Sequence, residues 1–461
     1  MPDRGRNLVC IEARIGLIMC LLAGPGSAVE VETQRTGSKR TEHYGDDGAL
    51  RDRDGARTAH TDGLPDGGTT QRVGEQPRDA NESSSSAALP GLDLHGALEP
   101  GRYGVGFRKE TLPLGGDRST DSLAESELPS AVDLYLWYPA ASNGDAPQPM
   151  TLADYYRCQE AIEPDREALR DWLHSDMTDA PGVDPATLDD VLDTPMWSRR
   201  DATAADGRHP LVLWSYRDSV PTSQTALNEY LASHGYVVAF AWPTDRLPPF
   251  PWQEGTTAEE KVDALAIQVR LLGMVLDRLS KRPWIDADPV SLLSWSYGGE
   301  SAGALQRERQ DVGLVVAIDA TLASGWVYAP KETIETLEPD TLSAPYVVLR
   351  NGRPRIGGDR SAPPPEFLAK ISAGAWHVRF PELSHGNFNF PGGMIPGVLG
   401  LDEVSRWAVG GEIARQGYER ISRSVLAFLE HHRTGDEKTL SELFPAKGPV
   451  ETERYPPHES Q

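Results

Sequence analysis

The chain has 461 residues, 39% of them hydrophobic and 25% charged, with a formal net charge of −24. That length suits one large α/β domain with appendages or two ordinary domains, and the acidity argues against nucleic acid or an anionic membrane surface as the main partner, since both require clustered Lys and Arg. Of the three cysteines, Cys10 and Cys20 fall in the N-terminal segment and leave Cys158 alone, so neither an intramolecular disulfide nor a cysteine zinc site is expected; with no H-E-x-x-H run either, no metal or other cofactor is expected.

Arg4, Arg6 and Arg14 precede an apolar stretch, Ile15 to Ala23, followed by the small residues of Gly24-Pro25-Gly26-Ser27-Ala28. A basic start, a short apolar run and small residues before a cut predict a signal peptide over 1–28 and a secreted or periplasmic location. The run is too short to span a bilayer, so no stable membrane insertion is expected. Glu12 interrupts the charge pattern, which keeps a disordered tail as the alternative. Residues 29–94 are rich in Gly, Asp, Arg, Ser and Thr and poor in large apolar residues. Such a segment cannot bury enough surface to offset its ordering entropy and reads as a disordered linker.

A folded domain is expected over 95–435, with order setting in near Gly101. Tyr103, Val105 and Phe107 alternate, as do Val132, Leu134, Leu136 and Tyr138, and both patterns predict strands. Residues 151–208 are Ala- and Asp-rich with helical stretches such as Asp165 to His174, and read as a helical insertion and a candidate lid. Strands then follow at Leu211 to Trp214, Tyr236 to Phe240, Val290 to Ser294, Leu314 to Ile318, Tyr346 to Leu349 and Trp376 to Phe380. Helices are expected at Ser223 to Ser233, Thr257 to Lys281, Gly299 to Gln310 and Glu412 to His432, the second opened by a Thr257/Glu260 capping box. Continuous apolar strands alternating with helices predict a mostly parallel central sheet covered on both faces. The polar residues 436–461 read as a loose tail.

The chemistry concentrates in Ser294-Trp295-Ser296-Tyr297-Gly298-Gly299, between an apolar strand and a helix. A nucleophile elbow needs this context: a strand, a sharp turn holding Ser, and a helix whose N-terminus faces developing negative charge. The turn demands small residues two before and two after the nucleophile. Gly298 meets this, and Ser294 adds only a hydroxymethyl group. A serine hydroxyl needs a base, and of the eleven histidines only His385 follows the C-terminal end of the last predicted strand, from which an imidazole can reach Ser296. Two carboxylates compete to orient it. Asp319 ends the strand Val315-Val316-Ala317-Ile318 and is favoured, whereas Asp359 lies in a Gly- and Pro-rich loop after the next strand.

The chain resembles the bacterial relatives of platelet-activating-factor acetylhydrolase, a branch of the α/β hydrolases close to dienelactone hydrolases. The matching stretches are Leu211 to Ser215, Tyr230 to Val238 (Y-L-A-S-H-G-Y-V-V), Ser296-Tyr297-Gly298-Gly299, Ala317-Ile318-Asp319-Ala320 and Ser384-His385-Gly386-Asn387-Phe388, within about residues 100 to 430. The resemblance implies an α/β-hydrolase fold, a Ser296–His385–Asp319 triad and Asp319 as its acid. One departure stands out. Where the family has a His-Gly pair that presents an oxyanion-hole N–H, this chain has Tyr216-Arg217, followed by Asp218. The backbone N–H groups of Asp218 and Tyr297 are the expected donors.

Tyr216, Trp242, Trp295 and Phe388 fall near predicted strand ends and read either as core or as an apolar wall for an acyl or aromatic group. The expected activity is hydrolysis of a carboxylic ester, a small molecule, through an acyl-enzyme, in the manner of acetylhydrolases and lipases. A polyester or cutin-type hydrolase and a non-catalytic binding module on a degenerate scaffold are the alternatives.

Overall fold

The computed structural model describes residues 91–114, 128–141, 147–159, 164–177, 180–215, 220–244, 257–320, 339–353, 365–402, 404, 407–445 and 448–457. The expected signal peptide and nearly all of the expected linker therefore lie outside the described residues, and the described ones belong to a single compact unit.

Among the described residues, eleven strands form one sheet: β1 Gly104–Pro113, β2 Ala131–Ala140, β3 Pro149–Thr151, β4 Pro195–Arg200, β5 His209–Ser215, β6 Val237–Pro243, β7 Ile285–Trp295, β8 Val312–Ile318, β9 Tyr346–Asn351, β10 Ala375–Phe380 and β11 Glu451–Tyr455. Their order across the sheet is β11-β10-β9-β8-β7-β5-β6-β2-β1-β4-β3. From β6 through β10 all neighbours are parallel, while β2 runs antiparallel to β6 and to β1.

The helices are α1 Leu152–Cys158, α2 Arg166–Asp176, α3 Pro185–Leu192, α4 Thr225–Ser233, α5 Ala258–Leu279, α6 Gly298–Glu308, α7 Pro365–Leu368, α8 Phe390–Val398, α9 Gly411–Thr434 and α10 Lys438–Leu443. Two apolar cores lie on opposite faces of the sheet. Tyr135 and Trp137 of β2 and Val212 and Trp214 of β5 share one core with α4, α8 and α9. The alternate residues Leu134, Leu136, Leu211 and Leu213 share the other with α5 and α6. This is the period-2 consequence of a strand buried on both sides, and the architecture is the α/β-hydrolase fold expected from the sequence.

Local signals behave as the sequence predicts in most places. Thr257 and Glu260 form the reciprocal capping box of α5. Leu265, Leu272, Leu276 and Leu279 are buried on its inner face, although Val262 at the same phase remains 40% exposed. The Y-L-A-S-H-G-Y-V-V stretch is a helix stop feeding a strand: α4 ends at Ser233, His234 Nδ1 lies 2.8 Å from Tyr230 O, and Gly235 turns the chain into β6. Gly235 takes φ +106°, which a side chain would resist.

Three expectations need correction. Residues 151–208 are not helical alone. Besides the helices α1 to α3 they contribute Thr151 at the end of β3 and the whole of β4, and β4 pairs in parallel with β1, so the segment extends the sheet. Order begins before Gly101, for Leu94 and His95 are buried. The segment after Thr434, expected to be loose, forms α10 and then β11, which pairs antiparallel with β10 along Trp376, His377 and Val378. Its residues Glu451, Thr452, Glu453 and Arg454 are polar because an edge strand faces water, and edge strands carry charge that discourages further pairing. Polarity thus concealed a strand.

Candidate active site

The sheet changes winding direction at β5 and β7. The chain leaves β5 toward β6 on one side and leaves β7 toward β8 on the other. Loops diverging from adjacent parallel strands open a crevice at their C-terminal ends, where open α/β sheets bind ligands. Ser215 pairs with Ser294 across this point, so Ser296 stands at the mouth of the crevice.

Ser296 follows β7 directly and adopts φ +52°. A non-glycine residue in the left-handed region is strained, and here the surroundings enforce it. β7 is locked between β5 and β8 up to Trp295, and α6 starts at Gly298. Tyr297, with φ −68°, caps that helix with its backbone and makes no side-chain cap bond. Helix N-terminal N–H groups lack intrahelical partners and favour negative charge. The hydroxyl of Ser215 bonds Gly298 O at 3.0 Å and Ser301 Oγ at 2.8 Å, tying the end of β5 to the first turn of α6.

Asp319 follows β8 one residue beyond Ile318, which pairs with Trp295, so Asp319 and Ser296 leave adjacent strands at the same level. It too has a positive φ, +44°, and its backbone N–H donates to Leu349 O at 2.7 Å. The carboxylate is almost wholly buried, with polar partners around it. Asn351 donates from its backbone N–H to Oδ1 at 3.1 Å and from Nδ2 to both oxygens. The buried Arg350 places Nη1 3.3 Å from Oδ1. Buried charge requires such compensation.

His385 Nδ1 lies 2.5 Å from Asp319 Oδ2. With the proton on Nδ1, the imidazole donates to the carboxylate and leaves Nε2 unprotonated, the form a general base requires. The histidine opens a short 3-10 turn, His385–Phe388. Asn387 fixes this turn from inside. Its Oδ1 accepts from Ser384 N and Val409 N at 3.0 Å each, and its Nδ2 donates to Val409 O at 2.8 Å and Gly392 O at 3.2 Å. Gly386 N donates to Trp407 O at 2.7 Å, and a Cβ on Gly386 would sit 2.9 Å from that same oxygen. The S-H-G-N-F pattern is therefore a packed clip, with Gly for close approach and Asn for four hydrogen bonds. Gln224 adds a tie, donating to Phe388 O at 2.8 Å from the segment that precedes α4.

Of the aromatic residues read as core or as an apolar wall, Phe388 and Trp295 lie in the core. Phe388 is fully buried and meets Phe380 edge to face at 5.7 Å, so it holds the histidine turn onto the sheet and lines no open surface. Trp295 is buried and stacks on the His385 ring, centroids 5.0 Å apart and planes 12° apart. Trp242, at the end of β6, is partly buried and stacks near Phe240. Tyr216, Arg217 and Asp218 lie outside the described residues, as does Asp359. The sequence alone singles out neither Arg350 nor Asn351 and shows Asn387 only within the S-H-G-N-F stretch, although Asn351 closes an apolar strand at the catalytic edge, which is the available signal. Among the described residues no group of His, Cys, Asp and Glu is arranged to hold a metal ion, and no helix is long and apolar enough to cross a membrane.

Neither a family profile nor a curated protein matches the chain. Among solved structures, a ferulic acid esterase from Streptomyces cinnamoneus is similar at 18% identity and a TM-score of 0.49, over 77% of this chain and 98% of that one. Likeness at that level decides nothing about activity, so the strand order and the residues at the crevice must carry the assignment.

Proposed function

We propose that the protein is a serine esterase that hydrolyses carboxylic esters of short or modest acyl length, within the acetylhydrolase-like branch its motifs resemble. Ser296 is the nucleophile, His385 the base and Asp319 the acid. The observation that carries this reading is the 2.5 Å contact between His385 Nδ1 and Asp319 Oδ2, at the level of a serine held at positive φ before a helix. These are the parts a Ser-His-Asp system needs: a sharp turn that presents Oγ, a base of fixed tautomer, and a buried carboxylate that stabilises the imidazolium.

In the reaction, His385 Nε2 takes the Ser296 proton as Oγ attacks the ester carbonyl. The tetrahedral oxyanion is stabilised by the Tyr297 N–H at the start of α6, with a second donor expected from Asp218 N–H. His385 then protonates the leaving alcohol. Water, activated by the same imidazole, releases the acid from the acyl-enzyme. The N-terminal export pattern supports a secreted or periplasmic enzyme.

A fluorophosphonate probe that labels active serines tests the reading. The intact protein should be labelled and Ser296→Ala should not, with loss of p-nitrophenyl acetate and butyrate hydrolysis in parallel. A wild-type protein that takes no label and hydrolyses no ester would instead support a binding module on this scaffold.

A further inference from the structure

Trp295 is the last residue of β7 and immediately precedes Ser296. Its indole is 93% removed from solvent and lies nearly parallel to the His385 imidazole, with centroids 5.0 Å apart and an angle of 12°. Among the described residues, its buried Nε1–H has no hydrogen-bond partner. A tryptophan placed only to fill space normally keeps that N–H paired. Here the cost of leaving it unpaired is tolerated in a position that presents the ring's face to the base.

We propose that Trp295 is a positioning residue whose π face fixes the plane of the His385 ring and stabilises its protonated form. This rests on the esterase reading above for its consequence in turnover, but not for the contact itself. The physical argument is electrostatic. The face of an indole carries negative quadrupole potential and attracts a cation within about 6 Å of its centroid, more strongly when water is excluded. During attack by Ser296 the imidazole becomes an imidazolium, and this is the moment at which the stack gains strength. Stabilisation that appears only as charge develops lowers the barrier, whereas equal contact before and after does not.

Charge also reaches this ring from Asp319 and its partner Arg350. The Asp319 carboxylate approaches from the end of β8 at 2.5 Å and favours the imidazolium, while Arg350 from β9 opposes it by binding the far oxygen of that carboxylate. The indole acts from the third side, on β7. It adds to the effect of Asp319 without adding a titrating group.

The test is a titration of the His385 ring protons by NMR in the full-length protein, assigned with His385→Gln, for wild type, Trp295→Phe and Trp295→Leu. The acid limb of kcat/KM is measured on the same proteins. The expected midpoints fall in the order Trp, Phe, Leu, by about half to one pH unit from first to last, and kcat falls with KM little changed. Admitting water beside the ring would favour the charged imidazole and raise the midpoint, so the sign separates a π contact from a plain wall. Midpoints that stay level or rise in the leucine variant overturn the proposal. If the protein hydrolyses no ester but the midpoints fall as stated, the stack is upheld and the esterase reading fails. If turnover persists with level midpoints, the reverse holds.

Discussion

Asn351 donates from one amide nitrogen to both carboxylate oxygens of Asp319, 2.8 Å to Oδ1 and 2.7 Å to Oδ2, and holds in place the group that His385 leans on. Asn351 ends β9 and Asp319 follows β8, so two neighbouring strands share the task of fixing one carboxylate. Removing either partner should be felt at the imidazole. Asp319→Asn should lower kcat by about 10⁴, because the amide favours the wrong imidazole tautomer. Asn351→Ala keeps the backbone donor and should cost about tenfold to a hundredfold, the loss of a charged hydrogen bond. Asp359→Asn should do far less than either. Steady-state kinetics on a neutral short-chain ester rank the three, and a larger loss at Asp359 would move the acid to the later loop.

The positive φ of Ser296 makes a stability prediction distinct from the catalytic one. Ser296→Ala keeps a Cβ in the strained turn and should leave the melting temperature nearly unchanged while abolishing turnover. Ser296→Gly removes that Cβ and should stabilise the fold by about 1 kcal/mol. Calorimetry on the two inactive variants checks the strain, and a glycine variant less stable than the alanine one would refute it.

Glu229 on α4 is fully buried and accepts four hydrogen bonds: His95 Nε2 and Tyr155 OH at 2.6 Å each, and the Trp197 and Ser198 amides at 3.0 and 2.9 Å. His95 also stacks on Trp197 at 3.8 Å. Together they pin residues 91–98, the inserted strand β4 and the core helix to one point. Burial opposes the charge on both groups. The hydrogen bonds and charges of Asp93 and Glu229 nonetheless raise His95 above its ordinary value, and His95, Tyr155 and Ser198 hold Glu229 below its own. The His95 contribution is complete below the unfolded imidazole value of 6.5 and is lost as pH rises through the elevated folded value. The Glu229 contribution is complete above the unfolded carboxyl value of 4.5 and is lost as pH falls through the depressed one. Glu229→Gln should therefore cost about 3–5 kcal/mol at pH 6, since it leaves a buried imidazole without its counter-charge. The stability gap between wild type and His95→Gln should narrow as pH is raised from 6 toward 9. Denaturant melts across that range measure it, and a gap that widens would be contrary to the pairing described.

The C-terminal strand makes a further prediction. Deleting residues 436–461 removes β11, exposes the backbone edge of β10 and uncovers Trp376, over whose ring Arg454 lies at 4.9 Å. The truncated protein should lose stability and self-associate more readily than the full chain, because an unpaired strand is a template for another. Light scattering on heating compares the two. Equal aggregation onset would mean that β11 adds nothing to the sheet's protection.

Much of the fold was legible because its signals are local. The apolar runs of β5 to β8 had to be buried on both faces, the capping box had to start α5, and Ser296 between an apolar strand and Gly298 had to sit on a strand-to-helix turn. His385 and Asp319 emerged from the same rule, that α/β sites form where parallel strands end. Elements whose residues answer to distant partners were not legible. β11 is polar and becomes a strand only because β10 offers it an edge. α8, Phe390–Val398, contains Pro391 and Pro396 and three glycines, a composition that predicts no helix. At Gly393, nevertheless, a Cβ would meet the Asn387 carbonyl oxygen at 2.5 Å and Tyr418 of α9 at 2.9 Å, so close approach to the histidine turn and to that helix selects glycine there.

The sequence by itself determined the strand-and-helix rhythm and the three residues proposed for catalysis, because periodicity, turn chemistry and strand ends are written in neighbouring positions. Only the tertiary structure decided that Asn351 and Arg350 surround Asp319, that Asn387 clips the histidine turn, and that Trp295 faces His385 instead of an open pocket. It also decided that Glu229, a charged residue on a short helix, belongs in the core. The reason is common to all four. Each of these buried polar or aromatic groups has at least one partner tens to hundreds of residues away, and no local pattern records which partners the folded sheet will bring to it.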